Sequence, residues 1–68
     1  MSMVQCNVSG LESEDDKAHI KNALNKVEGV RKVAVNLMSG TLEINYNEPA
    51  TENLIKKCVE ESGYNVIN

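Results

Sequence analysis

The chain has 68 residues, a formal net charge of −3 and hydrophobic residues at 41% of its positions. A chain of this length forms one domain, residues 1–68, and buries only about 60% of the surface that its unfolded form exposes. Lys and Arg are not clustered as in nucleic-acid-binding proteins, and no apolar run approaches a membrane span or a signal peptide. These features argue against nucleic acid and membrane as partners, and we expect a cytoplasmic monomer.

The first part of the chain predicts a strand followed by a helix. Apolar and polar residues alternate from Val4 to Val8, which predicts a strand over residues 3–9 with one buried face. Ser13 precedes three acidic residues, a pattern typical of a helix N-cap that also suits the helix dipole. Apolar residues then recur with helical spacing until a glycine ends the pattern. We therefore predict a helix over residues 14–28.

The remainder of the chain predicts three strands and a second helix. Alternating apolar residues predict strands over residues 30–38 and 41–47, joined by a tight hairpin turn at residues 39–40. A capping threonine and a second apolar helical face predict a helix over residues 52–62. A short last strand is expected over residues 64–67.

The order strand, helix, strand, strand, helix, strand determines the expected fold. Right-handed crossovers place both helices on one face of a four-stranded antiparallel sheet. The fold class is therefore α+β, a ferredoxin-like βαββαβ sandwich. The predicted core consists of the apolar residues that face the helices: Val4, Cys6, Val8, Ile20, Leu24, Val27, Val33, Val35, Leu37, Leu42, Ile44, Ile55 and Val59.

The two cysteines, Cys6 and Cys58, occupy positions that the periodicity marks as apolar. Packed layers stand roughly 8–10 Å apart, whereas a disulfide needs Cα atoms within about 7 Å. We therefore expect both thiols to be buried, reduced and poorly reactive. The only histidine, His19, lies on the first helix, so no nucleophile has a base within reach and no enzyme is expected. The open sheet face carries no aromatic residue, which argues against RNA recognition by base stacking.

Five short motifs extend over nearly the whole chain: Val8-Ser9-Gly10-Leu11, Gly29-Val30, Val33-Ala34-Val35-Asn36-Leu37, Ser39-Gly40-Thr41-Leu42 and Glu61-Ser62-Gly63-Tyr64. In this order and spacing the sequence resembles the heavy-metal-associated domain family. Small bacterial copper chaperones and the N-terminal domains of copper-transporting P-type ATPases belong to that family. The resemblance implies the same fold and a protein partner, such as a metal transporter or its soluble domain.

The family's metal motif is Met-x-Cys-x-x-Cys, in the loop that leads into the first helix. The resemblance places Leu11 at the Met position, and Ser13 and Asp16 at the two Cys positions. Neither of these two residues carries sulfur, and Cu(I) is a soft ion that prefers thiolate or thioether ligands. We therefore expect that Cu(I) binding is lost, that no cofactor is needed, and that the chain is a protein-docking or regulatory module.

The acidic residues around the start of the first helix allow other interpretations. Asp15, Asp16 and His19 could share a helix face and hold Zn²⁺ or Ni²⁺, alone or with ligands from a partner, which would make the chain a metal carrier. Alternatively, the acids form a solvated first turn that complements the helix dipole. We expect Tyr64 to cap the rim of the core with its ring and to leave its hydroxyl in water. On the docking hypothesis, the partner contacts Glu12, Glu14, Asp15, Asp16 and Tyr64.

Overall fold

The alternating and helical patterns form the predicted elements in the computed structural model, which describes residues 2–67. The elements are β1 (Ser2–Ser9), α1 (Glu14–Asn25), β2 (Val30–Asn36), β3 (Thr41–Tyr46), α2 (Glu52–Glu61) and β4 (Asn65–Val66). All strands pair antiparallel in one sheet with the order β2-β3-β1-β4, as expected for the ferredoxin-like α+β sandwich. Neither helix combines the length and apolar composition needed to cross a membrane, and residues 2–67 contain no other helix.

The core lies between the sheet and the two helices, with the central pair β1 and β3 at its base. Alternate residues of β1 face the helices and are buried, while those between them are exposed, as the period of two predicts. Cys6 pairs with Leu42 and Val4 with Ile44, so apolar side chains are adjacent on the buried face. The side chains with no exposed surface are Ile20, Leu24, Leu42, Ile44, Ile55 and Val59.

Several predicted core residues are only half-buried. Val35 and Leu37 lie on or just after β2, an edge strand with one neighbour, and Val27 follows the end of α1. In the second helix, Ile55 and Val59 are buried as predicted, whereas Leu54 is exposed. Conversely, Leu11, Ala50 and Tyr64 are buried although the periodicity did not place them in the core, because all three lie in connections between elements.

Helix α1 ends at Asn25, earlier than the predicted residue 28. The Lys26 amide donates to the Ala23 carbonyl at 3.3 Å, and the Val27 amide donates to the Leu24 carbonyl at 3.0 Å. These bonds span three residues and so tighten the last turn, which ends the helix before the glycine that the sequence suggested as its terminator.

The β2–β3 connection is a four-residue turn over residues 37–40, not the predicted tight turn at residues 39–40. The Asn36 side-chain oxygen accepts hydrogen bonds from the amides of Met38, at 3.0 Å, and Ser39, at 3.3 Å. An Asn side chain that replaces a backbone acceptor in this way initiates a turn. Strand β2 therefore stops at Asn36 and does not extend to residue 38.

Helix α2 ends with the hydrogen bonds of a Schellman motif. The Gly63 amide donates to the Glu60 carbonyl at 3.1 Å, and the Tyr64 amide donates to the Val59 carbonyl at 3.4 Å. Tyr64 therefore belongs to the helix terminus and not to the last strand, which is confined to Asn65–Val66 within the predicted range 64–67.

Both cysteines are free thiols, but their environments differ. Cys6 is buried under the helices, as predicted, and burial raises the pKa of its thiol. Cys58 is half-buried, which corrects the expectation of full burial, and its thiol donates to the Ala23 carbonyl at 3.5 Å. Burial likewise raises the pKa of the Cys58 thiol, so both favour the protonated, less nucleophilic form.

Gly29 allows the connection after α1 to pack against the loop that precedes α2. Its φ is +101°, a region that L side chains rarely adopt. A Cβ atom at this position would overlap the Asn47 carbonyl oxygen and lie 2.8 Å from the Ala50 nitrogen. The Asn47 amide donates to the Gly29 carbonyl at 2.7 Å, which holds the two segments together.

We expect Gly29→Ala to lower the free energy of unfolding by about 2–4 kcal/mol, because it adds backbone strain to a steric clash with main-chain atoms. Gly63→Ala is the matched control, since Gly63 has a φ of +102° but a Cβ atom added there would meet no atom within 4 Å. We therefore expect Gly63→Ala to lower the free energy of unfolding by only about 1 kcal/mol, the cost of holding an alanine at a positive φ. Urea unfolding measures both variants, and equal losses would contradict the steric argument.

Candidate functional site

The candidate site lies where the chain leaves β1 and enters α1, through the loop of residues 10–13, which we call the α1 loop. Ser13 is the N-cap of α1, with extended backbone angles. Its hydroxyl oxygen accepts a hydrogen bond from the Asp16 amide at 3.3 Å, as the capping pattern in the sequence predicts. This bond satisfies one of the free amides of the first turn and determines where the helix begins.

The Asp16 carboxylate is the centre of the hydrogen-bond network at this helix terminus. Its Oδ2 atom accepts from the Glu12 amide at 3.0 Å and from the Ser13 hydroxyl at 3.4 Å. Its Oδ1 atom accepts from the Tyr64 hydroxyl at 3.0 Å. The loop therefore brings together residues 13 and 16, the two positions that the family resemblance assigns to metal ligands.

These contacts shift the protonation equilibria of both partners. The Glu12 amide, followed by the Tyr64 hydroxyl, stabilises the ionised carboxylate and lowers the pKa of Asp16. Burial, followed by the bond to the Asp16 carboxylate, raises the pKa of Tyr64. At neutral pH the pair is therefore a neutral phenol that donates to an ionised carboxylate.

Tyr64 reaches the site from the α2–β4 connection. Its ring is buried, as predicted, but its hydroxyl donates to Asp16, which corrects the expectation that this group is left in water. Gly10 provides space for the ring, because a Cβ atom there would lie 3.2 Å from the tyrosine Cδ1. The exposed His19 ring lies beside Tyr64, with a centroid separation of 6.1 Å and a tilt of 56°.

The donor chemistry of the site does not suit Cu(I). The two positions provide a hydroxyl and a carboxylate, both hard oxygen donors, and Leu11 is a buried hydrocarbon side chain. Within residues 2–67, no three His, Cys, Asp or Glu side chains are grouped so that they could hold a metal ion. The structure therefore does not assemble Asp15, Asp16 and His19 into a three-ligand cluster.

The surface around the α1 loop is strongly acidic. Glu12, Glu14 and Asp15 are exposed, while Asp16 is half-buried under its hydrogen-bond partners. The acids in the first turn complement the partial positive charge of the helix terminus. The exposed acids remain free to contact another molecule, since none of them forms a side-chain hydrogen bond or ion pair within the described part of the chain.

No local pattern in the sequence predicts the bond between Asp16 and Tyr64. These residues are 48 positions apart, and each has a local explanation that needs no partner. Asp16 matches a capping pattern, and Tyr64 follows a helix-terminating glycine. Only the family resemblance places residue 64 in the predicted docking surface.

The fold and the candidate site define a small βαββαβ domain in which the N-terminus of α1 meets a tyrosine from the α2–β4 connection. Residues 5–65 match the family described as "Heavy-metal-associated domain". Since the match covers almost the whole chain, the protein belongs to the heavy-metal-associated domain family.

The relatives of this chain include copper chaperones and other metal-binding domains. "Copper chaperone CopZ" of Staphylococcus aureus is 31% identical over 68 residues, which cover 98% of this chain and 100% of the relative. A solved CopZ metallochaperone has a TM-score of 0.93 at 30% identity, with 97% and 100% of the two chains covered. A copper binding domain from HMA7, a P-type ATPase, has a TM-score of 0.93, and the alignment covers 100% of this chain and 96% of that domain. Because the two sequences are only 24% identical, this similarity shows the fold alone. The protein is therefore a copper-chaperone-like domain.

We expect Tyr64→Phe to raise the pKa of Asp16, because the ionised carboxylate loses one donor. The depressed folded-state pKa contributes stability that is present above the unfolded value of about 3.9 and is lost as the pH falls through the folded value. The variant should therefore lose stability at neutral pH and show a smaller loss at a pH below the folded-state pKa of Asp16. Carboxyl NMR titration and urea unfolding at both pH values measure these effects.

Tyr46→Phe is the matched control for this prediction, since it removes a hydroxyl that lies outside the network. It should leave the Asp16 titration unchanged. An Asp16 pKa that is the same in natural protein and Tyr64→Phe would show that the hydroxyl does not stabilise the carboxylate.

Proposed function

We propose that this protein is a protein-docking or regulatory module of the heavy-metal-associated domain family that does not bind Cu(I) at the α1 loop. One observation carries the proposal: the two positions that face each other at the N-terminus of α1 hold Ser13 and Asp16, and the Asp16 carboxylate is occupied by hydrogen bonds. The protein thus has the fold of the family, but Ser13 and Asp16 form a polar contact at the positions where the family resemblance places two soft Cys ligands.

The chemistry of this contact supports the proposed loss of Cu(I) binding. A soft ion gains little from a hydroxyl or a carboxylate, and to reach Asp16 it would have to displace the hydrogen bonds from Glu12, Ser13 and Tyr64. The two cysteines do not replace the missing ligands. Cys6 is buried on β1, and Cys58 faces the Ala23 carbonyl between the helices.

The docking part of the proposal rests on the charge at the same end of the molecule. The exposed carboxylates of Glu12, Glu14 and Asp15 surround the α1 loop and would meet a partner with a basic surface. Tyr64 donates to Asp16, which also accepts from the Glu12 amide, so these bonds tie the loop to the α2–β4 connection. A soluble domain of a metal transporter is the partner class that we propose, by analogy with the ATPase domain among the structural relatives.

The loss of Cu(I) binding is tested by comparing the natural protein with Ser13→Cys/Asp16→Cys. The double substitution places two thiols at a helix N-terminus, where the thiol pKa is lowered and the thiolate is favoured. We expect it to bind Cu(I) several orders of magnitude more tightly than the natural protein, with Glu14 and Asp15 reducing the gain by repulsion. Competition against a Cu(I) chelator under reducing conditions measures the affinities.

Ser13→Ala/Asp16→Ala is the matched control, because it removes the same hydrogen bonds without adding sulfur. If the natural protein competes as well as the double-cysteine variant, another ligand set exists, which would favour the metal-carrier function. A parallel titration with Zn²⁺ and Ni²⁺, with His19→Gln as the variant, tests the Asp15, Asp16 and His19 alternative directly.

The docking surface is tested with the soluble N-terminal domain of a copper-transporting P-type ATPase as the probe. Glu14→Lys/Asp15→Lys reverses two exposed charges beside the loop and should slow association by about tenfold and weaken its dependence on salt. Glu43→Lys/Glu48→Lys makes the same charge change at exposed residues elsewhere and should have little effect. NMR shifts confined to the open sheet face would contradict the proposed surface.

A further inference from the structure

The face of the sheet that points away from the helices contains a shallow cavity of about 330 Å³ beside the β2–β3 turn. This volume lies at the lower end of the range for small-ligand sites, roughly 300–1,000 Å³. The strand register explains the cavity, because Gln5, Glu43 and Ala34 form one row across β1, β3 and β2. The methyl side chain of Ala34 ends this row and leaves the space above it open. The polar side chains of the lining belong to Gln5, Asn36, Ser39, Thr41 and Glu43.

The cavity carries one negative charge that the protein does not neutralise. Glu43 is the only charged residue in its lining. The Glu43 side chain is exposed and forms neither a hydrogen bond nor an ion pair within the described part of the chain. Lys32 lies two residues before Ala34 on the same face of β2, but it does not pair with this carboxylate. A cation from outside the chain can therefore reach Glu43 without displacing a partner.

The two hydroxyl groups of the cavity are oriented so that they can only accept further hydrogen bonds. The Thr41 hydroxyl donates to the Asn7 side-chain oxygen at 3.1 Å, since an amide oxygen cannot donate. The Ser39 hydroxyl then donates to Thr41 at 2.9 Å, so both hydroxyl hydrogens are used. Their remaining lone pairs lie in the same cavity as the Glu43 carboxylate. A matching ligand therefore provides a positive charge and several hydrogen-bond donors.

The spacing of these acceptors favours a guanidinium group over a compact cation. Thr41 and Glu43 are two residues apart on β3, so their side chains leave the sheet about 7 Å apart. An ammonium group is a compact point charge that approaches one of them, whereas a planar guanidinium group offers five donors in a fork. A divalent metal ion would gain a single carboxylate, and residues 2–67 contain no group of three His, Cys, Asp or Glu side chains that could hold it.

We propose that this cavity binds a guanidinium group, carried either by a small molecule or by an arginine side chain. The plane of the group lies over Ala34, and its N–H groups donate to the Glu43 carboxylate and to the oxygens of the two hydroxyl groups. Asn36 does not bind the cation, because its side-chain oxygen already accepts from the amides of the turn. The site faces away from the helices, so this inference is independent of the function proposed for the α1 loop.

NMR titration of the natural protein with methylguanidinium and with methylammonium tests the site. We expect methylguanidinium to shift the amide signals of Gln5, Ala34 and Glu43, and methylammonium to bind more weakly. Glu43→Gln should weaken methylguanidinium binding by roughly three- to fivefold, because it removes the charge and keeps the shape of the side chain. Glu48→Gln is the matched control, since Glu48 is an exposed acid outside the cavity.

A second pair of variants tests the space above Ala34 without changing any charge. Ala34→Leu fills the cavity and should remove the shifts, whereas Ala18→Leu makes the same change at an exposed position of α1 and should leave them unchanged. A capped Gly-Arg-Gly peptide distinguishes the two sources of the group. Tighter binding of this peptide than of methylguanidinium at the same amides assigns the site to an arginine side chain, and equal or weaker binding assigns it to a small molecule.

Shifts at these three amides that weaken in Glu43→Gln and Ala34→Leu, and persist in both controls, would support the proposal. Equal binding of the two cations, or an equal loss in Glu48→Gln, would show only a general attraction of cations to an acidic protein and would overturn it. The absence of shifts at these amides, at methylguanidinium concentrations below those that unfold the protein, would also overturn it.

Discussion

The hydrogen bond between the Tyr64 hydroxyl and the Asp16 carboxylate joins the two β-α-β halves at the candidate site. One partner belongs to the first turn of α1, and the other follows the last turn of α2. Because Asp16 also accepts from the Glu12 amide, the same carboxylate holds the α1 loop. The position of the tyrosine, the conformation of the loop and the start of the helix are therefore coupled through one side chain.

The protein has the fold of its metallochaperone relatives and carries a hydroxyl and a carboxylate at the start of α1. The loop still brings residues 13 and 16 together at a helix N-terminus, where partial positive charge stabilises anionic side chains. In this chain the anion is a carboxylate that is neutralised by donors from the protein itself. An internal hydrogen-bond network thus occupies the N-terminus of α1, as the proposed docking role without Cu(I) requires.

The sequence by itself determined the order of elements, the buried face of each strand and the start of α1, because these follow from local periodicity and from the capping chemistry of Ser13. The sequence was wrong about the residue at which α1 ends and about the burial of Val27 and Val35. Both depend on which neighbouring elements cover a residue in the folded protein. Only the tertiary structure decided that the Tyr64 hydroxyl binds Asp16. A contact across 48 residues leaves no local pattern, because it exists only after the sheet has brought the two helix ends together.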